Sequence, residues 1–480
     1  MKSGSRILGL LALPGFALLM LLAAELRPGY FNNVTYLGGL LLLEAVAVAV
    51  WHYDNWFFSI LMLTFLWAGM DVPFSGASTV RWVFLAVGAL VGLIKWAGSV
   101  RRKRLGGIHL VAFLCVLTAV VSSIVSKRMQ ISLLKSSSLF LLFLYASCGI
   151  RVALADREAR FFRGLLIACE VISYLSGFSY VVLHNEVFGN ANSLGAVMGV
   201  VVVPVLLWGV LIAEQPHIRQ RRTIALCLGS YLLMSSVSRA ALLGCALAVV
   251  VMCVSLHRQK ILIKAAFVLV FLGAMIAVAQ PGQFDAMVSA FRQDVIYKGK
   301  PEEGLLGSRR SPWQETMDVV KESPWFGSGF GTDEVKGIRP EAASVFRTVG
   351  GSVREHGNSY LALLEYVGLL GIIPFTILLF LALQIILRVS IWTWKTADYR
   401  HYAVPLAAIC LAGLVHAFFE DWLFAVGYYL SIFFWSCVFI LSDLQPSAPR
   451  SPLTFSGAWN RRPLPADQIP LSASPFSANQ

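Results

Sequence analysis

Residues 353–387 read VREHGNSYLALLEYVGLLGIIPFTILLFLALQIIL, a polar segment that passes directly into a long apolar run. The apolar part exceeds the roughly 20 residues that a helix needs to cross a hydrocarbon core of about 30 Å. Polar and ionisable side chains at such a boundary are costly to keep, and they usually have a function. The stretch therefore predicts a membrane-spanning helix that begins near Ser359, with a candidate site around His356.

Apolar runs of similar length recur along the whole chain of 480 residues. The composition is 57% hydrophobic and 14% charged, and the mean hydropathy of +0.71 is higher than that of an ordinary soluble domain. We therefore predict an all-α polytopic membrane protein with about 12–14 transmembrane helices. The candidate spans lie near residues 7–24, 35–51, 56–70, 80–97, 107–126, 137–154, 161–183, 193–213, 223–237, 240–256, 261–280, 359–387, 402–418 and 422–442.

Loop charges predict the orientation of this bundle, because Lys and Arg are enriched in short cytoplasmic loops. The basic loops fall on one side and comprise Lys2 with Arg6, 101–104, 151–160, 219–222, 257–260 and 388–400. We therefore expect both termini in the cytoplasm, with the first span retained as a helix and not cleaved as a signal peptide. The net charge of +13 mostly reflects this bias, so no nucleic-acid partner is predicted.

The polar segments divide the chain into four parts. Residues 1–280 hold the first eleven or so predicted spans, and residues 359–442 hold the last three. Between them, residues 281–358 are predicted to form one large loop on the outer face. Residues 443–480 are rich in Pro and Ser and are predicted to be a disordered cytoplasmic tail.

Two features are predicted within the large loop. Ser311 is expected to cap an amphipathic helix with Pro312 at its first position, and Ser323-Pro324 is expected to end that helix. The glycine-rich stretch 327–332 lacks the lysine of a P-loop. We therefore expect it to be a turn that lets the backbone approach another segment closely.

Two polar clusters are predicted to lie at helix ends on the outer face. In GNANSLG (189–195), Asn192 or Ser193 is expected to cap a helix whose N-terminal amides suit a phosphate or sugar oxygen. In SSVSRAA (235–241), Arg239 lies among small hydroxyl residues. An arginine at the outer surface can be purely structural, but no acid lies nearby in the sequence to neutralise this one, so we expect Arg239 to bind an anion from outside the chain.

Two further clusters precede the amphipathic helix and the long apolar run. Arg309 and Arg310 are adjacent, and guanidinium groups form bidentate contacts with phosphate. Arg354, His356 and Asn358 follow one another at the beginning of the long helix. Because imidazole suits proton transfer near neutral pH, His356 is the candidate base. Arg354 and Asn358 are candidate substrate-binding residues.

Together the four clusters bring cations and one titratable base to the same predicted face. Such a set suits a diphosphate leaving group, because arginines stabilise the departing charge while a base takes a proton from the attacking hydroxyl. The clusters contain no DxD motif or acidic pair for a metal, and the eight cysteines have no ligand spacing. We therefore predict a metal-independent transfer that uses no cofactor.

The order of these motifs resembles the bacterial O-antigen ligase and polymerase superfamily. The motifs that carry the resemblance are NxNSLG (190–195), SRAALLG (238–244), RSPW (310–313), SPWFGSGFG (323–331), HxNSYL (356–361) and GLLG (368–371). They cover about residues 185–375. The resemblance implies a multi-helix fold like that of the C-type membrane glycosyltransferases, with a large periplasmic loop, in the bacterial inner membrane.

The resemblance implies transfer or polymerisation of a glycan from an undecaprenyl-pyrophosphate carrier onto an acceptor hydroxyl at the periplasmic face. The acceptor would be a glycan or lipid A-core, and the pathway would be O-antigen or exopolysaccharide biosynthesis. Arg239 would contact the lipid diphosphate together with Arg309 or Arg310. His356 would be the base or would position the acceptor. Gly357 separates His356 from the polar residue that follows it directly in the family pattern, a shift of about 100° if the helix has begun.

Two other functions fit the same residues. A transporter or flippase for a lipid-linked or anionic substrate would line a path with arginines and would distribute ionisable residues through the membrane depth. A membrane scaffold with an outer recognition loop would need no particular His or Arg. Within the superfamily, the sequence leaves open whether the protein is a ligase, a polymerase or a protein O-oligosaccharyltransferase.

Overall fold

The computed structural model describes residues 25, 39, 44, 46, 54–69, 77–98, 105–155, 157–185, 187–290, 292–293, 307–332 and 356–446. The predictions for the two N-terminal spans and for the C-terminal tail therefore fall almost entirely outside the described residues. Arg354 lies outside them as well.

Within the described ranges the protein is α-helical and contains no strand. The helices are α1 (Asp54–Gly69), α2 (Ala77–Gly98), α3 (Gly107–Val125), α4 (Met129–Leu154), α5 (Glu158–Val181), α6 (Ala191–Leu211), α7 (Pro216–Ser235), α8 (Arg239–Ser255), α9 (Gln259–Ala279), α10 (Pro281–Ala290), α11 (Gly307–Glu322), α12 (Ser359–Thr396), α13 (Ala403–His416) and α14 (Tyr429–Asp443). Seven of these helices, namely α2 to α6, α9 and α12, are long and apolar enough to cross a membrane. The prediction of an all-α polytopic membrane protein is confirmed.

The core forms where these helices pack on one another. α12 packs along α3, α8 packs against α13, and α6 packs against α7 and α13. Large aromatic side chains such as Phe143, Trp208 and Trp435 are fully buried between the helices. α4 and α6 each include one turn of π-helix, at Tyr145–Gly149 and Val197–Val202.

Two C-terminal helices differ from their predicted bounds. α12 continues to Thr396, beyond the predicted end of its span. The predicted span 422–442 is wrong at its start, because α14 begins at Tyr429 and residues 417–428 form a loop. Several apolar side chains of this loop are buried in the bundle. A buried apolar loop and a buried apolar helix have similar hydropathy, so the hydropathy pattern placed the start of this span too early.

The helix of the large loop begins earlier than its proline suggests. The prediction that Ser311 caps it with Pro312 at the first position is wrong, since α11 begins at Gly307 and Pro312 lies inside it. A proline this near the N-terminus removes only one backbone donor, and side-chain contacts of the preceding turn hold the helix there. The predicted end before Ser323-Pro324 is confirmed, because α11 ends at Glu322.

α12 is broken at Gly368, and the glycine-rich loop fills the break. Gly368 has φ +67° and ψ −176°, outside the helical range. The Ser328 N–H donates to the Glu365 carbonyl and the Leu369 N–H donates to the Pro324 carbonyl, each at 2.8 Å. Non-helical backbone at membrane depth needs such hydrogen-bond partners.

The glycines of this loop permit its close approach to α12, as the sequence predicted. Gly327 has φ +75°, and a Cβ there would lie 2.5 Å from the Tyr366 carbonyl oxygen. Gly329 has φ +115°, and a Cβ there would overlap the Ser126 hydroxyl. That hydroxyl donates to the Ser328 carbonyl at 2.7 Å. The loop therefore bridges α12 and the end of α3.

Several arginines on the side of the bundle predicted to face the cytoplasm are paired with acids. Arg151 in α4 forms a bidentate ion pair with Asp443 at the end of α14, at 2.6 and 2.9 Å. Glu170 in α5 is buried and pairs with Arg221 and Arg222 of α7, at 2.7 and 3.2 Å. These charges have structural partners and connect neighbouring helices.

Candidate functional site

The His356 ring lies between two carboxylates immediately before α12. Its Nδ1 lies 3.3 Å from Asp421 Oδ2, and its Nε2 lies 3.3 Å from Glu365 Oε2. The His356 backbone N–H also donates to Asp421 Oδ2, at 3.2 Å. The side chains of His356 and Glu365 are 1% and 0% exposed, whereas that of Asp421 is 34% exposed. The imidazole is therefore enclosed, and Asp421 is the member of this set that reaches the surface.

The electrostatic state of Asp421 follows from its contact with His356. Burial raises the pKa of the Asp421 carboxyl, but its hydrogen bonds and charge interaction with His356 outweigh burial, so the pKa lies below its ordinary value. Asp421 is thus a carboxylate at neutral pH. Because folding lowers the pKa of the Asp421 carboxyl, its contact with His356 stabilises the protein at pH values above the ordinary carboxyl pKa. That contribution is lost as the pH falls through the lowered pKa.

His356 lies outside the helix that follows it. Asn358 is the N-cap of α12, and its Oδ1 accepts from the N–H groups of Tyr360 and Leu361, at 2.8 and 3.1 Å. The shift of about 100° around a helix that was expected from Gly357 therefore does not apply. The side-chain oxygen of Asn358, a predicted binding residue, serves this cap.

Arg309 reaches the same place from the first turn of α11. Its Nη2 pairs with Glu420 Oε1 at 2.5 Å. The guanidinium also lies directly over Gly357, which has φ +60° and where a Cβ would approach Nη1 to 2.7 Å. Trp313, one turn along α11, donates from Nε1 to the Gly357 carbonyl at 3.2 Å. The adjacent Arg310 is exposed. Of the two predicted arginines, Arg309 is the one that contacts residues next to His356 and Asp421.

Arg239 is the first residue of α8 and is half-buried. Its guanidinium lies close enough to that of Arg309 for the two positive charges to repel each other. Ser236 and Ser238, just before α8, pack on Gly195 of α6, where a Cβ would lie 2.5 Å from Ser236 Oγ. The starts of α6 and α8 therefore meet, and two neighbouring guanidinium groups favour an anion between them.

The start of α6 differs in detail from its prediction. Asn190, not Asn192 or Ser193, is the N-cap, and its Oδ1 accepts from the Ser193 N–H at 2.7 Å. The side chain of an N-cap residue reaches the amide three positions later, and Asn190 has that spacing. Asn192 itself is exposed. The Tyr428 hydroxyl donates to Ser193 Oγ at 3.3 Å, which joins this helix start to the 417–428 loop.

Loop 417–428 is fixed at this position by side-chain hydrogen bonds. Ser359 Oγ donates to the Glu420 carbonyl at 2.6 Å and accepts from the Leu423 N–H at 3.1 Å. Trp422 Nε1 donates to His416 Nδ1 at 2.7 Å. The loop therefore presents its two acids in a defined orientation.

Three acids of the site were missed in the sequence. Glu365 is an acid within an apolar helix, and intramembrane acids usually have a function, so that residue could have been found. Glu420 and Asp421 are adjacent between two apolar runs, and the clusters predicted for this face do not include them. Their pairing with Arg309 and His356 depends on tertiary contacts that the sequence does not display.

The carboxylates of the site contact cationic and imidazole groups. Asp421 and Glu365 face opposite nitrogens of the His356 ring and do not converge on one point. Within the part of the chain that the structure describes, no group of three or more His, Cys, Asp or Glu side chains is arranged to hold a metal ion.

Comparison with known proteins identifies the segment that holds these residues. The O-antigen ligase family model matches residues 224–376, a segment that includes Arg239, Arg309 and His356. No curated protein matches the chain at a significant level. Glu420 and Asp421 lie beyond the matched segment. Residues 224–376 are therefore similar to the O-antigen ligase family, which supports the resemblance to the O-antigen ligase and polymerase superfamily.

Proposed function

We propose that the protein transfers or polymerises a glycan from an undecaprenyl-pyrophosphate carrier onto an acceptor hydroxyl at the periplasmic face of the inner membrane. One observation carries the proposal: two arginines and a carboxylate-flanked histidine meet at one end of the bundle, within and beside the O-antigen ligase domain. The reaction would contribute to cell-surface polysaccharide, as O-antigen or exopolysaccharide.

The donor diphosphate would bind at the two guanidinium groups. Arg239 and Arg309 lie close enough for their charges to interact, and an arginine fork matches phosphate geometry. Negative charge grows on the diphosphate as the bond to the sugar breaks, so these cations stabilise the transition state more than the bound donor. Glu420 holds Arg309 in orientation before the donor arrives. Arg310 is exposed, and we do not include it in this group.

The acceptor would approach from the surface next to Asp421. The attacking hydroxyl has to lose a proton as it bonds to the anomeric carbon, and the His356 group supplies the base function. Arg354 and Asn192 remain proposed contacts to the glycan, since Asn192 is exposed near the start of α6. The acceptor would be a glycan or lipid A-core, held at the membrane surface beside the lipid carrier.

Charge neutralisation by Arg239 and Arg309 supports a transfer that needs no metal ion. In other enzymes a divalent cation neutralises a departing diphosphate, and paired guanidinium groups can replace it. We therefore propose that transfer continues in the presence of a chelator and uses no cofactor. The proposed orientation puts both termini in the cytoplasm, and the basic loops on the opposite side of the bundle support it.

A transporter is the second function considered from the sequence. It would need ionisable residues that line a path through the membrane. Glu170, a candidate for such a path, is instead paired with Arg221 and Arg222 on the side predicted to be cytoplasmic. The site residues collect at the other end. The distribution of the charged residues therefore favours a reaction at the membrane surface over transport of a substrate through the membrane.

The proposed function is tested in the native host with surface polysaccharide as the readout. A strain that lacks the protein is complemented with wild type, Arg239→Ala, His356→Ala or the control Arg310→Ala. We expect the wild type and the control to restore the glycan, whereas the first two variants leave lipid-linked donor to accumulate. Unchanged glycan in Arg239→Ala and His356→Ala, at wild-type protein levels, would refute the proposal.

A further inference from the structure

We propose that Asp421, and not His356, is the catalytic residue that takes the proton from the acceptor hydroxyl, and that His356 is a positioning residue that holds Asp421. This inference rests on the proposed function and names the base within the same site. It assigns a role to a residue that lies outside the matched O-antigen ligase domain.

The exposure of the two side chains indicates whether the His356 imidazole or the Asp421 carboxylate can reach the acceptor hydroxyl. A base must come within about 2.6–3.2 Å of the proton that it removes. The His356 side chain is 1% exposed, and each ring nitrogen faces a carboxylate at 3.3 Å, so an acceptor hydroxyl finds no approach to it. Asp421 is 34% exposed on the same site. One of its oxygens contacts His356, and the carboxylate as a whole reaches the surface where an acceptor arrives.

The neighbouring acid Glu420 is less suited to the same role. Its Oε1 is bound to Arg309 Nη2 at 2.5 Å, and its side chain is 22% exposed. An acid that is ion-paired with a guanidinium has its charge engaged by that cation. Glu420 therefore orients the cation that binds the donor. The two adjacent acids therefore have different roles: Glu420 orients the arginine that binds the diphosphate, and Asp421 takes the proton from the acceptor.

The chemical step balances with these groups alone. The acceptor oxygen attacks the anomeric carbon of the donor sugar, and its proton passes to the Asp421 carboxylate. The bond between that carbon and the diphosphate oxygen breaks, and its electron pair leaves with the diphosphate beside Arg239 and Arg309. Asp421 then releases the proton to water at the exposed surface. No oxidant, reductant or further co-reactant is required.

His356 positions Asp421 through two contacts. Its backbone N–H and its Nδ1 both bond Asp421 Oδ2, so one carboxylate oxygen is fixed. Glu365, fully buried behind the ring at Nε2, keeps the imidazole in place. A carboxylate supported in this way by an imidazole has a defined orientation, which is what general-base catalysis requires.

The test compares Asp421→Asn with its neighbour Glu420→Gln in purified, reconstituted protein. Donor and acceptor kinetics are measured for both. General-base catalysis contributes about 10²- to 10⁴-fold, so Asp421→Asn should lower kcat by at least about 100-fold while the donor KM changes little. Glu420→Gln should mainly raise the donor KM, because it frees Arg309. A kcat within about fivefold of wild type in Asp421→Asn would overturn the inference.

A second comparison separates positioning from proton transfer. His356→Asn keeps a side-chain N–H that can hold Asp421, so it should retain at least about tenfold more activity than Asp421→Asn. Addition of formate should restore part of the activity of Asp421→Ala but not that of His356→Ala, since formate replaces a missing carboxylate. Lower activity in His356→Asn than in Asp421→Asn would assign the base to the imidazole.

Failure of this inference can be distinguished from failure of the proposed function. If the wild-type protein forms no glycosidic product from a lipid-diphosphate donor, the proposed function fails. If the wild type forms product and Asp421→Asn forms it equally fast, the inference about the base fails and the transferase assignment stands.

Discussion

Arg309 and Arg310 are adjacent in the sequence but have different surroundings in the folded protein. Adjacent residues on a helix point about 100° apart, so only one of the two can face the site. The sequence left open which of the two would contact the diphosphate. In the folded chain Arg309 pairs with Glu420 and covers Gly357, whereas Arg310 is exposed.

We predict that the two arginines differ sharply on substitution. Arg309→Ala should lower kcat/KM by about 10- to 100-fold, because a hydrogen bond to a charged group contributes roughly 1.5–3 kcal/mol. Arg309→Lys should recover only part of this loss, since lysine keeps the charge but not the planar fork. The control Arg310→Ala should remain close to wild type. Transfer kinetics on purified protein measure all three, and equal losses in both alanine variants would contradict the assignment.

Gly357 provides a second residue-scale prediction. Its φ of +60° disfavours any side chain, and a Cβ would displace the Arg309 guanidinium. Gly357→Ala should therefore reduce the affinity for the lipid-diphosphate donor by about tenfold or more, since the strain and displacement together cost roughly 1–3 kcal/mol. Donor binding is measured directly with purified protein. Wild-type affinity in this variant would show that Arg309 does not depend on the turn.

Some residues of the candidate site could be predicted from the sequence by their type, but the contacts between them could not. Arg239 and His356 stood out because cations and imidazoles at helix ends are unusual in an apolar chain. Asp421 could not be assigned, since it lies 65 positions from His356 and meets it only after the bundle has folded. Arg354 lies outside the described residues, so its place in the site stays a prediction.

At the scale of elements, the break in α12 connects the large loop to the site. Glu365 lies one turn before Gly368, and its carbonyl accepts from the Ser328 N–H of the glycine-rich loop. The loop therefore fixes the short helical segment that carries Glu365 beneath His356. A continuous apolar run predicts a single straight helix, so the break could not be foreseen from hydropathy.

We predict that Gly368→Ala, a substitution at this break, destabilises the protein more than an ordinary glycine substitution does. In Gly368→Ala a Cβ would lie 2.5 Å from the Gly327 backbone nitrogen, and the φ of +67° is itself unfavourable. The control Gly164→Ala lies in α5 with nothing within 4 Å of the new Cβ. Gly368→Ala should destabilise the protein by at least about 1–3 kcal/mol, with a clear fall in apparent Tm in detergent. An unchanged Tm would contradict the role of the break.

The helix boundaries that were wrong share a physical cause. Hydropathy measures transfer to an apolar environment and does not report backbone conformation. Residues 417–428 bury several of their apolar side chains as a loop, and α11 begins at Gly307, five residues before Pro312, in the turn where Arg309 pairs with Glu420. Long spans such as α3 were predicted closely, since lipid leaves a helix as the available structure for them.

At the scale of the whole molecule, the two sides of the bundle differ in how they use charge. On the side predicted to face the cytoplasm, several arginines pair with acids of neighbouring helices, as in the contact of Arg151 with Asp443. The other end gathers Arg239, Arg309 and the His356 group beside the large loop. A reaction with a lipid-linked donor suits such an end, where the diphosphate lies at the membrane surface.

The predicted orientation is tested by cysteine labelling from the periplasm. Arg310→Cys and Gln215→Cys are made separately in a Cys227→Ser background, since Cys227 is the native cysteine that is exposed in the described structure. A membrane-impermeant maleimide should label Arg310→Cys in intact spheroplasts. It should label Gln215→Cys only after the membrane is permeabilised. The reverse pattern would place the site in the cytoplasm and exclude the proposed reaction.

Reconstituted glycan transfer tests the central claim most directly. Purified protein in liposomes is given a defined undecaprenyl-pyrophosphate glycan and an acceptor glycan, without ATP and with a chelator. We predict a covalent glycosidic product with the wild type, at least about 100-fold less with the double variant Arg239→Ala and Arg309→Ala, and near wild-type yield with Arg310→Ala. Movement of the donor across the bilayer without bond formation, or equal product from the double variant, would contradict the claim.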